Sequence, residues 1–94
     1  MNRNLYPLPP SKSLSKVGEN SIINTNSLIE HDSKIGDFCH ISTGVILNGG
    51  VTIGDYTFVG SGCIIREGIK IPEKTIISAG KRVMGWPINN HLVK

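Results

Sequence analysis

The residues best suited to catalysis are a histidine and an aspartate that are neighbours in the sequence, His31 and Asp32. They belong to the polar run Glu-His-Asp-Ser-Lys, which indicates a turn and its edge. A carboxylate beside an imidazole can hold the ring in one tautomer, and this suits a general base that works near neutral pH. Taken alone, such a surface pair is more often a solvated turn than a catalytic site. His40 is equally well explained as a residue at a strand edge whose polar atoms are hydrogen-bonded. His91 lies in the C-terminal tail, where no neighbouring motif suggests a function.

A repeat of six residues must position these side chains. Every sixth residue from position 17 to position 83 is Val, Ile or Leu. These anchors are Val17, Ile23, Ile29, Ile35, Ile41, Leu47, Ile53, Val59, Ile65, Ile71, Ile77 and Val83. A period of six fits neither an α-helix nor a coiled coil, but it is a multiple of the strand period of two. The fourth residue after an anchor is usually small or β-branched, so the units are predicted to be short strands separated by turns.

Short strands with one buried aliphatic each must stack to bury a continuous core. We therefore predict an all-β parallel β-helix in which three hexads form a triangular coil of 18 residues, with about 3.7 coils between positions 17 and 83. Residues 1–16 are interpreted as a non-repeat lead-in that covers the open end of the first coil, and residues 84–94 as a tail. Trp86 is expected to pack on the last coil or on a neighbouring subunit.

Stacking also predicts which residues become neighbours, because positions 18 apart lie above one another. Gly49 then lies above His31, and its missing side chain leaves an open notch that a ligand could occupy. Cys39 and Cys63 both take the small, inward-facing place of their hexads. This position favours reduced core thiols over a disulfide or a metal site.

The net charge and the absence of long apolar segments in the sequence exclude some classes of function. The net charge is +3, from ten Lys and Arg against seven Asp and Glu, without the dense basic stripe of a nucleic-acid-binding surface. The basic residues near the C-terminus agree with a binding site for a phosphorylated cofactor, and equally with a charged end that is only exposed to solvent. No stretch approaches the length of a membrane span, and the first residues lack the apolar segment of a secretion signal. We expect a cytoplasmic protein.

Three motifs give the chain a resemblance to a known family. They are N-T-x-x-x-[IV]-E-H-D at positions 24–32, H-I-S at 40–42 and G-G-V at 49–51. In this order and spacing they resemble the acyltransferase domain of sugar O- and N-acetyltransferases of the sialic acid O-acetyltransferase and bacillosamine-pathway type. The resemblance covers positions 17–88.

The resemblance implies a left-handed β-helix that assembles as a homotrimer, with acetyl-CoA between neighbouring prisms and active sites shared by two subunits. It assigns His31 as the catalytic base and Asp32 as the residue that orients it. It places Asn24 at the substrate, His40 in the same site and Gly49 near the thioester. The column along the pantetheine arm is Thr43, Ser61 and Ala79.

The implied reaction is direct acyl transfer, without a metal and without a covalent enzyme intermediate. His31 takes a proton from a sugar amine or hydroxyl as that group attacks the thioester, and backbone N–H groups stabilise the oxyanion. The acceptor would be a nucleotide sugar or amino sugar. Its identity and the choice between N- and O-acetylation stay open.

The chain departs from the family pattern in two places. Family members usually carry an N-terminal α/β domain that binds the sugar nucleotide. Only sixteen residues without the repeat precede the first hexad here. We therefore expect either a truncated or minimal enzyme, or a sugar-binding part on another chain. The tail has G-W-P where the family usually has G-N-P, and Trp86 could alter the rim that holds the adenine end.

Three other functions fit part of the sequence. A β-helical carbonic anhydrase needs three histidine ligands, two of them in an H-x4-H arrangement, but His31 and His40 are nine residues apart. An acetyltransferase of the serine or maltose type shares the fold and the donor, although the motifs fit it less well. A non-catalytic trimeric scaffold would need only the repeat.

Overall fold

The computed structural model describes residues 15–86, which form twelve β-strands of two residues each. The strands are β1 Lys16–Val17, β2 Ile22–Ile23, β3 Leu28–Ile29, β4 Lys34–Ile35, β5 His40–Ile41, β6 Ile46–Leu47, β7 Thr52–Ile53, β8 Phe58–Val59, β9 Ile64–Ile65, β10 Lys70–Ile71, β11 Ile76–Ile77 and β12 Arg82–Val83. No helix that is long and apolar enough to cross a membrane occurs in this part of the chain. The predictions for residues 1–14 and 87–94 lie outside the described residues.

Every third strand pairs in parallel, so the chain winds into a triangular prism with three four-stranded faces. The first face holds β1, β4, β7 and β10, the second β2, β5, β8 and β11, and the third β3, β6, β9 and β12. Partners differ by 18 positions throughout, as in the pairs Val17–Ile35 and Ile35–Ile53. The predicted parallel β-helix, its 18-residue coil and the stacking rule are confirmed.

Three corners connect the faces, and each is a column of two-residue turns. The first corner, between the first and second faces, has turns at 19–20, 37–38, 55–56 and 73–74. The second corner, between the second and third faces, has turns at 25–26, 43–44, 61–62 and 79–80. The third corner, where the third face leads to the first face of the next coil, has turns at 31–32, 49–50 and 67–68.

The core is the column of anchors predicted from the period. All anchors are buried except Val17, which is half-buried at the start of the solenoid. At the other end Trp86 is half-buried and packs against the core, in agreement with one of the two arrangements expected for it. Full burial of an aliphatic side chain is worth roughly 1.5–3 kcal/mol, so the repeated anchor supplies the main driving force for stacking.

The small inward residues bind the coils together through one recurring hydrogen bond. The hydroxyl or thiol at this place donates to the backbone carbonyl 15 positions later, in the next coil. The pairs include Ser21 to Gly36, Ser27 to Ser42, Ser33 to Asn48, Cys39 to Gly54, Thr57 to Pro72 and Cys63 to Ser78, at 2.6–3.1 Å. Both cysteines are free and buried, as predicted. Burial raises the pKa of the Cys39 thiol, which keeps it a hydrogen-bond donor.

The turns demand an unusual backbone at their second residue, where φ lies between 57° and 76° in all eleven. Gly, Asn and Asp tolerate this left-handed conformation. At the first corner, however, Phe38 and Tyr56 occupy it. Their rings stack with centroids 5.1 Å apart and planes 6° from parallel. An aromatic residue in the left-handed conformation destabilises the folded state by roughly 1–2 kcal/mol. One stacked pair of rings stabilises it by about 0.5–1.5 kcal/mol.

The hydrogen bond from the buried Ser27 to the Ser42 carbonyl gives a test of the packing. We expect Ser27→Ala to lower the free energy of unfolding by about 1–3 kcal/mol, because the substitution leaves a buried carbonyl without its donor. Ser27→Cys should keep most of the stability, since thiols make the same bond at positions 39 and 63. Urea denaturation measures both variants. Thr25→Ala, in the exposed turn next to it, is the control, and a loss as large as that of Ser27→Ala would contradict the assignment.

Candidate active site

His31 and Asp32 form the turn of the third corner between β3 and β4. Asp32 has a φ of 63°, a conformation that a short polar side chain tolerates. Its Oδ2 lies 3.2 Å from Nδ1 of His31, and both side chains are more than half exposed. An ionised carboxylate can only accept a hydrogen bond, so the proton of the neutral ring is on Nδ1. Nε2 is left with a lone pair.

Gly49 lies directly above His31 in the next coil, as the 18-residue rule predicts. A Cβ placed on Gly49 would be 3.5 Å from Cε1 and 3.7 Å from Nε2 of the imidazole. The glycine therefore leaves the space beside Nε2 open. A methyl group would fit at ordinary contact distance and occupy it. The amide of Gly50 donates to the His31 carbonyl at 3.1 Å, but that of Gly49 makes no hydrogen bond within residues 15–86.

An open groove of about 540 Å³ runs along this corner. Its lining residues are Glu30, His31, Asp32, Asn48, Gly49, Gly50, Glu67 and Gly68. Three of them are carboxylates and three are glycines, and none is Lys or Arg. The groove thus combines an acidic wall with backbone that side chains do not cover.

Two other predicted site residues meet at a different place. The Nδ2 of Asn24 lies 3.3 Å from Nε2 of His40, where the second face meets the second corner. An amide nitrogen donates, so this His40 nitrogen accepts and the ring proton is on Nδ1. The His40 ring also contacts Phe58 above it, with centroids 5.3 Å apart. In one chain this pair and His31 occupy the two opposite edges of the third face.

The predicted cofactor column also lies at the second corner. Thr43, Ser61 and Ala79 are stacked and exposed, each as the first residue of its turn. The carbonyls of Thr43 and Ser61 accept hydrogen bonds from Gly62 and Gly80 in the coils above, at 2.9 and 2.8 Å. The three residues are therefore stacked as the 18-residue rule predicts, next to Asn24 and away from the groove at His31, and their contact with the pantetheine arm stays a prediction.

The structure adds groove residues that the sequence analysis did not select. Glu30 and Asn48 precede the two turns, and Glu67 stands two coils above His31 in the same column. Because positions 18 apart are stacked, the sequence alone predicts that Glu67 lies in the column of His31. Among residues 15–86, no group of three or more His, Cys, Asp or Glu side chains is arranged to hold a metal ion.

Two family models match the sequence in succession. The model "Bacterial transferase hexapeptide (six repeats)" matches residues 15–49, and "Hexapeptide repeat of succinyl-transferase" matches residues 50–82. Together they cover nearly three quarters of the 94 residues. The chain belongs to the hexapeptide-repeat transferases. No curated protein gives a significant match to the sequence.

Two solved structures share the fold of this hexapeptide-repeat chain. The acetyltransferase domain of PglB from Neisseria gonorrhoeae is 24% identical over 80% of the chain and 45% of that domain, with a TM-score of 0.70. The same domain in complex with acetyl coenzyme A is 24% identical over 89% of the chain and 46% of that one, with a TM-score of 0.59. The chain spans less than half the length of the solved structures it matches, so these matches describe its β-helix.

The hydrogen bond between Asp32 and His31 predicts a single tautomer for the neutral His31 ring. We expect ¹⁵N NMR of the imidazoles to show a proton on Nδ1 and a bare Nε2. Asp32→Gly removes the carboxylate but suits the positive φ, and it should lower the share of the Nδ1–H tautomer. His40, held by Asn24, is the internal control and should keep its own tautomer. An unchanged His31 spectrum in Asp32→Gly would show that Asp32 does not orient the ring.

Proposed function

We propose that the chain transfers an acetyl group from acetyl-CoA to an amine or hydroxyl of a sugar, with His31 as general base. The observation that carries this proposal is the bare Nε2 of His31 beside the notch at Gly49, with Asp32 on the opposite ring nitrogen. A base with a fixed tautomer next to an uncovered backbone N–H is what attack on a thioester requires. The complex of the PglB domain with acetyl coenzyme A, which shares the β-helix fold, supports this donor.

The steps follow from these groups. The acceptor oxygen or nitrogen attacks the thioester carbon while His31 Nε2 takes its proton, and the new C–O or C–N bond forms a tetrahedral intermediate. The Gly49 N–H, which has no partner within residues 15–86, stabilises the oxyanion. The C–S bond then breaks, and the proton held by His31 passes to the departing CoA sulfur. Asp32 stabilises the imidazolium in between.

The cysteines take no part in this scheme. Cys39 and Cys63 are buried, and each thiol donates to a backbone carbonyl in the next coil. A nucleophile must reach the substrate as a thiolate. The acyl group therefore passes directly between the two substrates.

The division of the site between two corners supports an oligomer. His31 lies at the third corner and the Asn24–His40 pair at the second, so one chain does not bring them together. A neighbouring copy could place its second corner against the groove, as the homotrimer implied by the family resemblance requires. The third face lies between these corners. Three of its four outward side chains, Leu28, Ile46 and Ile64, are apolar and half-buried, and the fourth, Arg82 in the last coil, is exposed. In contrast, the outward side chains of the first face are three lysines and Thr52.

The acceptor sugar and the cytoplasmic location remain predictions. A non-catalytic trimeric scaffold is the second candidate, because the period alone would build it, and a serine- or maltose-type acceptor is the third. The scaffold has no need for acetyl-CoA. Donor binding therefore separates it from both enzyme hypotheses, and transfer assays with amino sugars, serine and maltose separate the enzymes.

Calorimetric titration with acetyl-CoA tests the proposal. The wild-type chain should bind the donor, and Gly49→Ala should weaken binding at least about tenfold, because its methyl group fills the notch next to His31 Nε2. His31→Ala should still bind but lose about 10²–10⁴-fold in acetyl transfer to a tested acceptor. Glu73→Ala, in an exposed turn of the first corner, is the control. A folded oligomer that does not bind acetyl-CoA would favour the hypothesis of a non-catalytic scaffold.

A second experiment tests whether the third face lies inside the assembly. Ile64→Glu should convert the trimer into monomers with an unchanged circular dichroism spectrum, because a buried carboxylate in an interface is costly. Thr52→Glu makes the same charge on the first face, where Lys34 and Lys70 flank it in the column, and should leave the assembly intact. Analytical ultracentrifugation measures the mass. Trimers in both variants would place the interface elsewhere.

A further inference from the structure

One buried hydroxyl in the described part of the chain makes no hydrogen bond there. The buried polar residues among residues 15–86 are Ser21, Ser27, Ser33, Ser42 and Thr57. All of them except Ser42 donate a side-chain hydrogen bond to a backbone carbonyl of the next coil. Ser42 is 5% exposed, and its hydroxyl bonds to no group within residues 15–86. Buried polar groups are almost always paired, so this hydroxyl requires a partner.

The coil above Ser42 explains why the protein does not supply that partner. Asn24, directly below Ser42 in the same column, reaches His40, which lies 16 positions later in the next coil. The corresponding residue for Ser42 is Phe58, whose side chain has no polar atom. Gly60, directly above Ser42, has no side chain at all. The pairing made one coil below is therefore impossible at Ser42.

A second unpaired hydrogen-bond donor lies two residues earlier, on β5. Nε2 of His40 accepts from Asn24, so the ring proton is on Nδ1. This N–H makes no hydrogen bond within residues 15–86. Side chains two residues apart in extended backbone point to the same side, so His40 and Ser42 share one side of the chain. The described residues provide an acceptor for neither of them.

The surroundings of these two groups suit the pantetheine arm of acetyl-CoA better than a sugar. Thr43, directly after Ser42, is exposed and begins the column predicted for that arm. Phe58 presents an apolar ring that is 39% exposed. The arm consists of apolar carbon chains interrupted by amide groups, and small-molecule sites are typically apolar with a few polar groups that fix the orientation. The hydroxyl groups of a sugar would find no partner on Phe58.

We propose that the Ser42 hydroxyl donates a hydrogen bond to an amide carbonyl of the pantetheine arm. The inference rests on the proposed use of acetyl-CoA, and it adds a side chain that holds this substrate. The product CoA carries the same arm, so Ser42 contributes equally to the binding of acetyl-CoA and of CoA. The contact is remote from the thioester, which reacts at His31. Ser42 therefore acts on affinity and not on the chemical step.

Calorimetric titration of the wild type and Ser42→Ala with acetyl-CoA and with CoA tests the inference. Ser42→Ala should weaken both ligands by the same factor, about three- to tenfold, as expected for the loss of one neutral hydrogen bond. The kcat at saturating acetyl-CoA should not change. Ser21→Ala is the matched control, because Ser21 is an equally buried serine whose hydroxyl donates to the Gly36 carbonyl. It should bind both ligands like the wild type.

Thermal unfolding without ligand gives a second readout on the same variants. Ser42→Ala should be at least as stable as the wild type, because it removes a buried hydroxyl that has no partner. Ser21→Ala should unfold at a lower temperature, because it leaves the Gly36 carbonyl without its donor. A loss in Ser42→Ala as large as that in Ser21→Ala would overturn the inference, since the hydroxyl would then be paired in the free protein.

The calorimetric outcomes separate this inference from the proposed function. A wild type that binds neither acetyl-CoA nor CoA would overturn both. A wild type that binds them, with equal affinities in Ser42→Ala, would overturn the inference alone. Weaker acetyl-CoA with unchanged CoA would place the hydroxyl on the acetyl carbonyl. A higher KM for the sugar with unchanged affinity for acetyl-CoA would place it on the acceptor, and either result would also overturn the assignment to the arm.

Discussion

The parallel hydrogen-bonded stacking of coils, at a fixed offset of 18 residues, is the constraint on which the rest of the structure depends. A strand of two residues makes too few hydrogen bonds and buries too little surface to persist alone. Between coils, however, backbone amides and carbonyls on each face pair with the coil above or below, as in Asn24 to Ile41 and Ser42 to Val59. The anchors fill the interior column at the same time. Each coil is stable because its neighbours repeat its shape.

That repetition restricts three places in every hexad. The anchor is aliphatic, the inward residue is small or β-branched except at Lys81, and the second turn residue accepts a positive φ. Ser, Cys, Thr and Val recur at the inward place, and its hydroxyl or thiol donates a hydrogen bond to the carbonyl of a residue that directly follows an anchor. The outward and first turn positions escape these restrictions. Two of the predicted site residues take these positions, His31 as a first turn residue and His40 as an outward strand residue, whereas Asn24 directly follows an anchor.

Much of the molecule could be predicted from the sequence because the period alone determines which residues stack. The β-helix, the burial of the anchors, the inward cysteines and the position of Gly49 above His31 all follow from counting. The separation of Asn24 from His31 could also have been counted, since seven residues take the chain past one corner to the next. What the period does not determine is how exposed side chains turn. The stack of Phe38 on Tyr56 and the contact of Asn24 with His40 depend on side-chain conformation, and the period does not encode that.

The two ends of the solenoid show how stacking limits what a terminal residue can do. A coil at an end lacks one neighbour, so its anchor exposes surface that every inner coil buries, and Val17 is accordingly half-buried. After the last anchor, Trp86 packs its large side chain against the core, where no further coil follows β12 within the described residues. An indole engaged in this way stabilises the end of the prism. Trp86 therefore contributes to the packing of the last described coil, because its indole covers apolar surface that a stacked coil covers elsewhere in the prism. Its effect on the rim of a ligand site stays a prediction.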